Sequence, residues 1–270
     1  MITNWEKFEE NSTLYLIENF NNLAQFIHQG GSDSTVADIK VITNKNKTFF
    51  MEAKSSQAQC GQFVLIPNDE IKQFMYSNLN QSSLNDFSQE IINYMNNNYE
   101  TFVNSGTSGT IIELNKSIFV SWIKNYYTQK GVKFIITALE NNFIIFPLES
   151  FENYFNVTAK YRVKKSGSSS PSTSNKDDII RTLVNNGYNI EESQISISKD
   201  DAILTNCHFD LDKKKIKGVK YTYYFIKIET NKYRIRKLSN TNNANVIFSI
   251  DLIHNQIAED LENFINYLSN

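Results

Sequence analysis

The sequence predicts an α/β fold in which helices flank a mixed central sheet. Segments with helical and strand periodicity alternate along residues 12–146, and a short polar turn joins two of the strand-like segments. Of the 270 residues, 40% are hydrophobic, so apolar material for a buried core is available. Because no apolar run reaches the length of a membrane span, we expect a cytoplasmic protein.

Each element follows from periodicity and turn chemistry. Apolar residues at helical spacing predict a first helix over 12–28, with Ser12 or Thr13 as the N-cap. Segments rich in β-branched residues at 34–43 and 48–54 flank the polar turn 44–47 and predict a β-hairpin. Helices are then predicted over 69–79, 84–97 and 117–129, a buried strand at 132–139 and its neighbouring strand at 143–146.

The second half of the chain begins with a change of composition. Ser166-Gly-Ser-Ser-Ser-Pro-Ser-Thr-Ser174 is a loop-forming tract and predicts a boundary between residues 1–165 and 166–270. The strands after the tract could still join the sheet of the first part. The elements predicted there are a helix at 177–186, strands at 219–229 and 233–238, and a final helix over 252–268.

Three charged residues in the hairpin stand out because their flanks are apolar. Asp38 lies within the first strand, between Ala37 and Ile39, while Glu52 and Lys54 end the second strand. Residues two apart in a strand share one face, so Glu52 and Lys54 point the same way, and Asp38 joins them if the register is right. Charges in such strands need a partner or a metal ion, which favours an ion site over a solvated sheet face.

Magnesium is the cation that suits this arrangement. It prefers oxygen ligands and takes one or two carboxylates from a protein, and here Asp38, Glu52 and the main-chain carbonyl of Ala53 could supply them. Such an ion polarises a phosphate and lowers the pKa of a bound water, while Lys54 would orient that water or help to deprotonate it.

Two stretches of the chain resemble a known nuclease core. Gly30-Gly-Ser-Asp-Ser-Thr-Val-Ala-Asp-Ile-Lys-Val41 and Phe49-Phe-Met-Glu-Ala-Lys-Ser-Ser56 are similar to the PD-(D/E)xK superfamily, in particular to its type II restriction endonucleases. The residue before Asp38 is Ala37 instead of Pro. The resemblance implies that Asp38 and Glu52 bind the metal and that Lys54 serves the attacking water. Asp33 is the rival of Asp38, but it lies in the Gly/Ser turn outside the apolar strand.

The resemblance also implies the reaction and its partners. A Mg²⁺-dependent endonuclease of this type hydrolyses double-stranded DNA at a short specific sequence and leaves 5′-phosphate and 3′-hydroxyl ends. Residues 1–165 would form the catalytic core and residues 166–270 the DNA-recognition part. A palindromic target favours a homodimer, and a cognate DNA methyltransferase would be the functional counterpart.

Further site residues are open to two interpretations. Glu18 in the first predicted helix could add an acidic group near the metal, as in some members of this fold, or face solvent. Gln59 and Gln62 follow the hairpin and could hold a phosphate or a metal-bound water, or belong to a polar loop.

Candidate DNA contacts lie in three basic runs of the second half. A run beside small hydroxyl residues suits a DNA backbone, and Arg is the better bidentate donor to guanine. Because the whole chain has a net charge of −2, DNA binding requires such local clustering of cations. The candidate residues are Arg162, Lys164, Lys165, Ser166, Ser168, Lys220, Arg234 and Arg236. The alternative is that the first run is a solvated linker and that the other two are surface hairpins without a partner.

Two alternatives to restriction stay open at this stage. A repair or mobile-element nuclease of the same fold would act on DNA structure or damage, and a non-catalytic DNA-binding module would bind without cutting. The two cysteines and three histidines are isolated in sequence, which argues against a zinc site.

Overall fold

The computed structural model describes residues 4–30, 36–140, 142–165, 167–198 and 201–270. The helices are α1 (Asn4–Phe20), α2 (Asp86–Asn97), α3 (Tyr99–Val103), α4 (Lys116–Gln129), α5 (Phe151–Tyr154), α6 (Lys176–Asn185) and α7 (Ala258–Ser269). The strands are β1 (Ala24–His28), β2 (Ile39–Thr43), β3 (Thr48–Ala53), β4 (Gln57–Asn68), β5 (Gln73–Tyr76), β6 (Thr110–Ile111), β7 (Val132–Leu139), β8 (Asn142–Pro147), β9 (Phe155–Lys165), β10 (Ser168–Ser169), β11 (Ile195–Ile197), β12 (Ala202–Leu204), β13 (Lys215–Lys217), β14 (Tyr221–Glu229), β15 (Lys232–Ser239) and β16 (Asn242–Leu252). No helix in these ranges is long and apolar enough to cross a membrane.

The chain divides into two compact units. The first unit comprises residues 1–162 and 245–270, and the second comprises residues 163–244. The chain leaves the first unit along β9 and returns to it along β16. The prediction placed all of 166–270 in one C-terminal part, whereas β16 pairs with β4 and α7 contacts β8, so the last 26 residues belong to the first unit.

The first sheet carries the predicted hairpin. Its order is β1-β2-β3-β7-β8, with β3 parallel to β7 and the other pairs antiparallel. Leu16 and Phe20 of α1 and Phe264 and Leu268 of α7 lie in the same buried cluster as the apolar residues of this sheet. The sheet is therefore mixed and covered by helices, as predicted.

A second sheet in the first unit has the order β5-β4-β16-β9-β6. Helix α4 contacts β7 of the first sheet and β4 of the second. Its fully buried Trp122 stacks on Phe248 at 4.4 Å and packs against Phe63 at 5.5 Å between ring centroids. The prediction of one central sheet is therefore too simple, because the first unit contains two sheets that share a helix.

The second unit has a sheet of its own. Its order is β11-β12-β15-β14-β13, and β10 pairs with the edge of β15. One face of this sheet packs on a core that contains Tyr223, Phe225 and Ile235 of the strands. Ile179 and Leu183 of α6 belong to the same core. This core is separate from the cluster under the first sheet, so the unit buries its own apolar surface.

Three predicted helices differ from the observed elements. The first helix ends at Phe20 and residues 24–28 form β1, whose side chains alternate between buried and exposed. Residues 73–76 form β5 instead of a helix, because they pair with β4. The final helix begins at Ala258, since residues 242–252 form the long strand β16. The hairpin and the helices near 84–97, 117–129 and 177–186 are confirmed.

Candidate active site

Three charged side chains meet at one end of the first sheet. Asp38 directly precedes β2, Glu52 lies in β3 and Lys54 follows β3. Asp38 Oδ2 accepts a hydrogen bond from the backbone N–H of Ala53 at 2.9 Å, which fixes the carboxylate across the hairpin. Lys54 Nζ lies 2.7 Å from Glu52 Oε1 and 3.6 Å from Asp38 Oδ2. The structure thus brings together Asp38, Glu52 and Lys54. The rival Asp33 lies outside the described residues.

Burial and the attraction between opposite charges together shift the pKa values of this cluster. Glu52 is 4% exposed, and its Oε2 has no hydrogen-bond partner in the described parts of the chain. Burial raises the pKa of Glu52, Asp38 raises it further and the Lys54 ammonium opposes the shift. For Lys54, burial disfavours the charged form, but the carboxylates of Glu52 and Asp38 outweigh it, so the pKa of the ammonium lies above its usual value. Lys54 therefore remains a cation at neutral pH.

A third acidic side chain, from helix α1, lines the same cavity. Glu9 is 7% exposed and lines the cavity that contains Asp38 and Glu52. Its Oε2 lies 3.5 Å from His28 Nε2, and a Cβ on Gly30 would overlap with that oxygen. Burial, followed by the negative charges of Asp38 and Glu52, raises the pKa of Glu9 to about 8. The sequence analysis missed Glu9.

Glu18, the acidic residue selected from the sequence, is exposed on the same helix. It follows Glu9 by nine residues, which is about 14 Å along the axis and about half a turn around it. The signal that identifies Glu9 is the buried stripe of α1, where it shares one face with Ser12, Leu16 and Phe20. That stripe could not be read while the helix was placed at 12–28.

The site opens into a cavity of about 450 Å³. Strand β4 and the end of α4 form part of its wall, and a hydrogen bond between Cys60 Sγ and the Tyr127 hydroxyl, 3.4 Å long, joins these two elements. Burial raises the pKa of Cys60 to about 11, so this residue is a thiol that holds the wall together. Besides the residues above, the lining includes Trp5, Val36, Gln59, Gly61, Gln62, Leu79, Asn80, Tyr126 and Lys130.

The donors of the site are of the kind that a hard cation prefers. Asp38 and Glu52 offer carboxylate oxygens. The buried Oε2 of Glu52 accepts no hydrogen bond from the described residues, so its lone pairs are available to a cation. In the described ranges, no three His, Cys, Asp or Glu side chains converge as a complete metal cage. This donor set fits Mg²⁺, which keeps several waters and binds one or two carboxylates, better than it fits a structural metal.

The chain was compared with known proteins at the level of sequence and structure. No family model and no curated protein matches it. A solved structure, HhaI endonuclease in complex with DNA, is 38% identical, and the match covers 99% of this chain and 100% of that chain with a TM-score of 0.72. The chain belongs to the HhaI endonuclease family. That relative was solved in complex with DNA.

In this member of the HhaI endonuclease family, Gln59 and Gln62 lie on a strand instead of a loop. Both belong to β4, and Gln62 Oε1 accepts hydrogen bonds from Gln59 Nε2 and from Asn245 Nδ2, each at 3.0 Å. Both glutamines line the cavity. The alternative that placed them in a polar loop is therefore wrong, because 57–68 pairs with β16 on one side and β5 on the other.

The candidate DNA contacts are spread over both units of this chain. Arg162 is half-buried in the first unit, and Lys164 and Lys220 are exposed in the second. Arg236 donates to Ser168, from Nη2 to the carbonyl at 3.0 Å and from Nε to Oγ at 3.3 Å. The guanidinium of Arg234 is ion-paired with Asp201 at 3.0 Å. The side chain of Lys165 and all of Ser166 lie outside the described parts.

Proposed function

We propose that the protein is a Mg²⁺-dependent type II restriction endonuclease that hydrolyses phosphodiester bonds of double-stranded DNA and leaves 5′-phosphate and 3′-hydroxyl ends. The observation that carries the proposal is the convergence of Asp38, Glu52 and Lys54 in an open cavity of a chain from an endonuclease family. It corresponds to the residue set of the PD-(D/E)xK resemblance.

Asp38, Glu52 and the carbonyl of Ala53 would hold the magnesium ion. When bound, Mg²⁺ supplies Lewis-acid stabilisation of the phosphate and an acidified water. The chain contributes the positioning: the Ala53 N–H orients the Asp38 carboxylate from across the hairpin at 2.9 Å. The buried surroundings strengthen each of these electrostatic contacts, because little water screens them.

Lys54 orients the attacking water and stabilises negative charge on the phosphate. Its raised pKa keeps the ammonium protonated, which favours these roles over deprotonation of the water. Glu9 takes the place that Glu18 was expected to occupy, as an additional acid of the first helix at the edge of the site. With its pKa near 8, Glu9 is mostly protonated at neutral pH, and it becomes able to accept a proton as the pH rises through about 8.

The second unit supplies the net positive charge for DNA binding. Residues 163–244 contain 15 Lys and Arg against 9 Asp and Glu, whereas the first unit has 12 against 20. Lys215, Tyr224 and Arg236 occupy directly paired positions on neighbouring strands, so they form a row on one face of the sheet. A basic row with an aromatic residue suits contact with phosphates.

The decisive experiment is cleavage of unmethylated phage DNA in the presence of Mg²⁺. We expect discrete fragments from the wild-type protein and losses of at least about 100-fold in Asp38→Ala, Glu52→Ala and Lys54→Ala. Glu18→Ala is the matched control, since it removes an exposed carboxylate of the same unit. Full activity in the three site variants would overturn the assignment, and a smear or structure-dependent products would indicate a repair or mobile-element nuclease.

The quaternary state and the methyltransferase counterpart belong to the same proposal. A homodimer follows from a palindromic target, because two-fold protein symmetry matches the symmetry of the site. Light scattering of the free and DNA-bound protein measures it, with 31.2 kDa expected for one chain. Resistance of methyltransferase-treated DNA to cleavage tests the functional pairing.

A further inference from the structure

A second lysine, besides Lys54, lies in the wall of the cavity. Lys130 is the C-cap residue of α4 and lines the cavity together with Asp38 and Glu52. Its Nζ lies 4.3 Å from the centroid of the Tyr126 ring and 5.7 Å from that of Tyr127. The positive charge of Lys130 acts on the buried carboxylate of Glu52, which places the two groups in one electrostatic environment.

The contacts of this ammonium with aromatic rings do not occupy its N–H donors. The faces of Tyr126 and Tyr127 attract a cation through their quadrupoles, but a Lys ammonium keeps three N–H donors. Among the residues that the structure describes, no carboxylate forms an ion pair with Lys130, whereas Lys54 has two such partners. The donors of Lys130 therefore remain available to an anion that enters the cavity.

We infer that Lys130 binds a non-bridging phosphate oxygen of the DNA strand that occupies the cavity. It thus acts as a second cation beside Lys54. The inference rests on the proposed nuclease function and adds a substrate-binding residue to it. An ammonium and a phosphate form a charge-assisted hydrogen bond, which is stronger than a neutral one. The Tyr127 ring lies within 6.0 Å of Lys54 Nζ as well as near Lys130, so it stands beside both cations.

A structural role of Lys130 makes a different prediction. A lysine at the end of a helix interacts favourably with the last carbonyls, so its loss would lower thermal stability and leave DNA binding unchanged. A phosphate contact instead contributes to the salt dependence of DNA binding. Each phosphate neutralised by a lysine adds about 0.9 to the slope of log Kobs against log salt on duplex DNA.

The test compares Lys130→Gln, Lys130→Arg and Lys133→Gln. Lys133 is exposed at the start of β7, lies three residues away and does not line the cavity, so it matches the charge change. Binding is measured in EDTA between 50 and 300 mM salt, roughly the range in which such slopes are resolved. The probe is a labelled duplex that spans a cut site mapped with the wild-type protein, or a phage DNA fragment where none is found. Cleavage is measured on the same DNA with Mg²⁺.

We expect Lys130→Gln to lower the slope by about 0.9 and kcat/KM about tenfold or more. Lys130→Arg should keep the slope, and Lys133→Gln should behave as the wild type. A Lys130→Gln protein with the slope and kcat/KM of Lys133→Gln overturns the inference, even if its melting temperature falls. A wild-type protein that binds DNA but never cuts it refutes the proposed function, while the slope comparison still decides the role of Lys130.

Discussion

Glu9 lines the same cavity as Asp38 and Glu52. Its burial and the negative charges of these two residues oppose the ionisation of its carboxyl group. Burial and the neighbouring negative charges move its pKa from 4.5 to about 8. Between these values the folded protein binds a proton that the unfolded chain has released. The free energy of unfolding therefore falls as the pH rises through this window.

Glu9→Gln removes this titration from the folded protein. We expect its melting temperature in EDTA to match that of the wild type near pH 4. At pH 9 it should exceed the wild-type value by at least about 2 °C, because the variant has no charge to bury. Thermal unfolding across pH 4–9 measures the difference. Parallel curves for the two proteins would show that Glu9 titrates normally.

Gly30 controls where the Glu9 carboxylate lies. A methyl group at Gly30 would overlap with Glu9 Oε2 and with His28 Nε2, so Gly30→Ala displaces the Glu9 carboxyl group without removing any ionisable group. We expect cleavage to fall about 10- to 100-fold, as for a small misplacement in a site. In a Glu9→Ala background the same substitution should cost far less. Cleavage rates of the four proteins of this cycle provide the measurement, and equal losses in both backgrounds would contradict the role of Glu9.

At the scale of elements, the hairpin β2–β3 is the part that the sequence specifies best. Its strands are β-branched and apolar, and its turn is local, so the pattern identifies the hairpin that brings Asp38, Glu52 and Lys54 together. Asp38 was expected within the first strand, but it directly precedes β2, and Lys54 follows β3 instead of ending it. β4 and β5 could not be identified in this way. Phe74 is the only fully buried residue of β5, and its strand conformation depends on pairing with β4 and on a hydrogen bond to Asn96. Such partners are set by tertiary structure, which local propensity does not encode.

Helix α7 is attached to the first unit through a buried carboxylate. Asp260, 7% exposed, accepts hydrogen bonds from the Tyr154 hydroxyl at 2.7 Å and from Ser150 Oγ at 3.0 Å. The same Tyr154 oxygen accepts the N–H of Ile257 at 3.1 Å. The Tyr154 hydroxyl therefore donates to the buried Asp260 and accepts a backbone N–H at the start of α7.

Tyr154→Phe should destabilise the protein by about 1–3 kcal/mol, because a buried carboxylate and a backbone N–H each lose a partner. Urea denaturation measures this loss. Cleavage per folded molecule should stay at the wild-type level, since neither Tyr154 nor Asp260 lines the cavity. Ser150→Ala is the milder comparison, as it removes a longer hydrogen bond. A stability equal to that of the wild type would mean that water replaces the lost donor.

At the scale of the whole molecule, the two units carry net charges of opposite sign. An overall charge of −2 conceals a second unit with a surplus of six positive charges and a first unit with a surplus of eight negative ones. The serine tract at 166–174 indicated a boundary near the point where the first unit ends. The return of the chain along β16 could not be predicted, because its partner β4 lies about 180 residues earlier and no local pattern records that pairing.

This division predicts that the salt dependence of DNA binding comes mainly from the second unit. Substituting Lys215→Gln and Arg236→Gln together should lower the slope of log Kobs against log salt by about 1.8, which corresponds to two phosphate contacts. Lys232→Gln is the control in the same sheet, because its ammonium is ion-paired with Glu229 at 3.3 Å. We expect the control to keep the wild-type slope. If the double variant does the same, the basic row of this sheet does not contact the phosphate backbone, and the positive charge of the second unit serves another purpose.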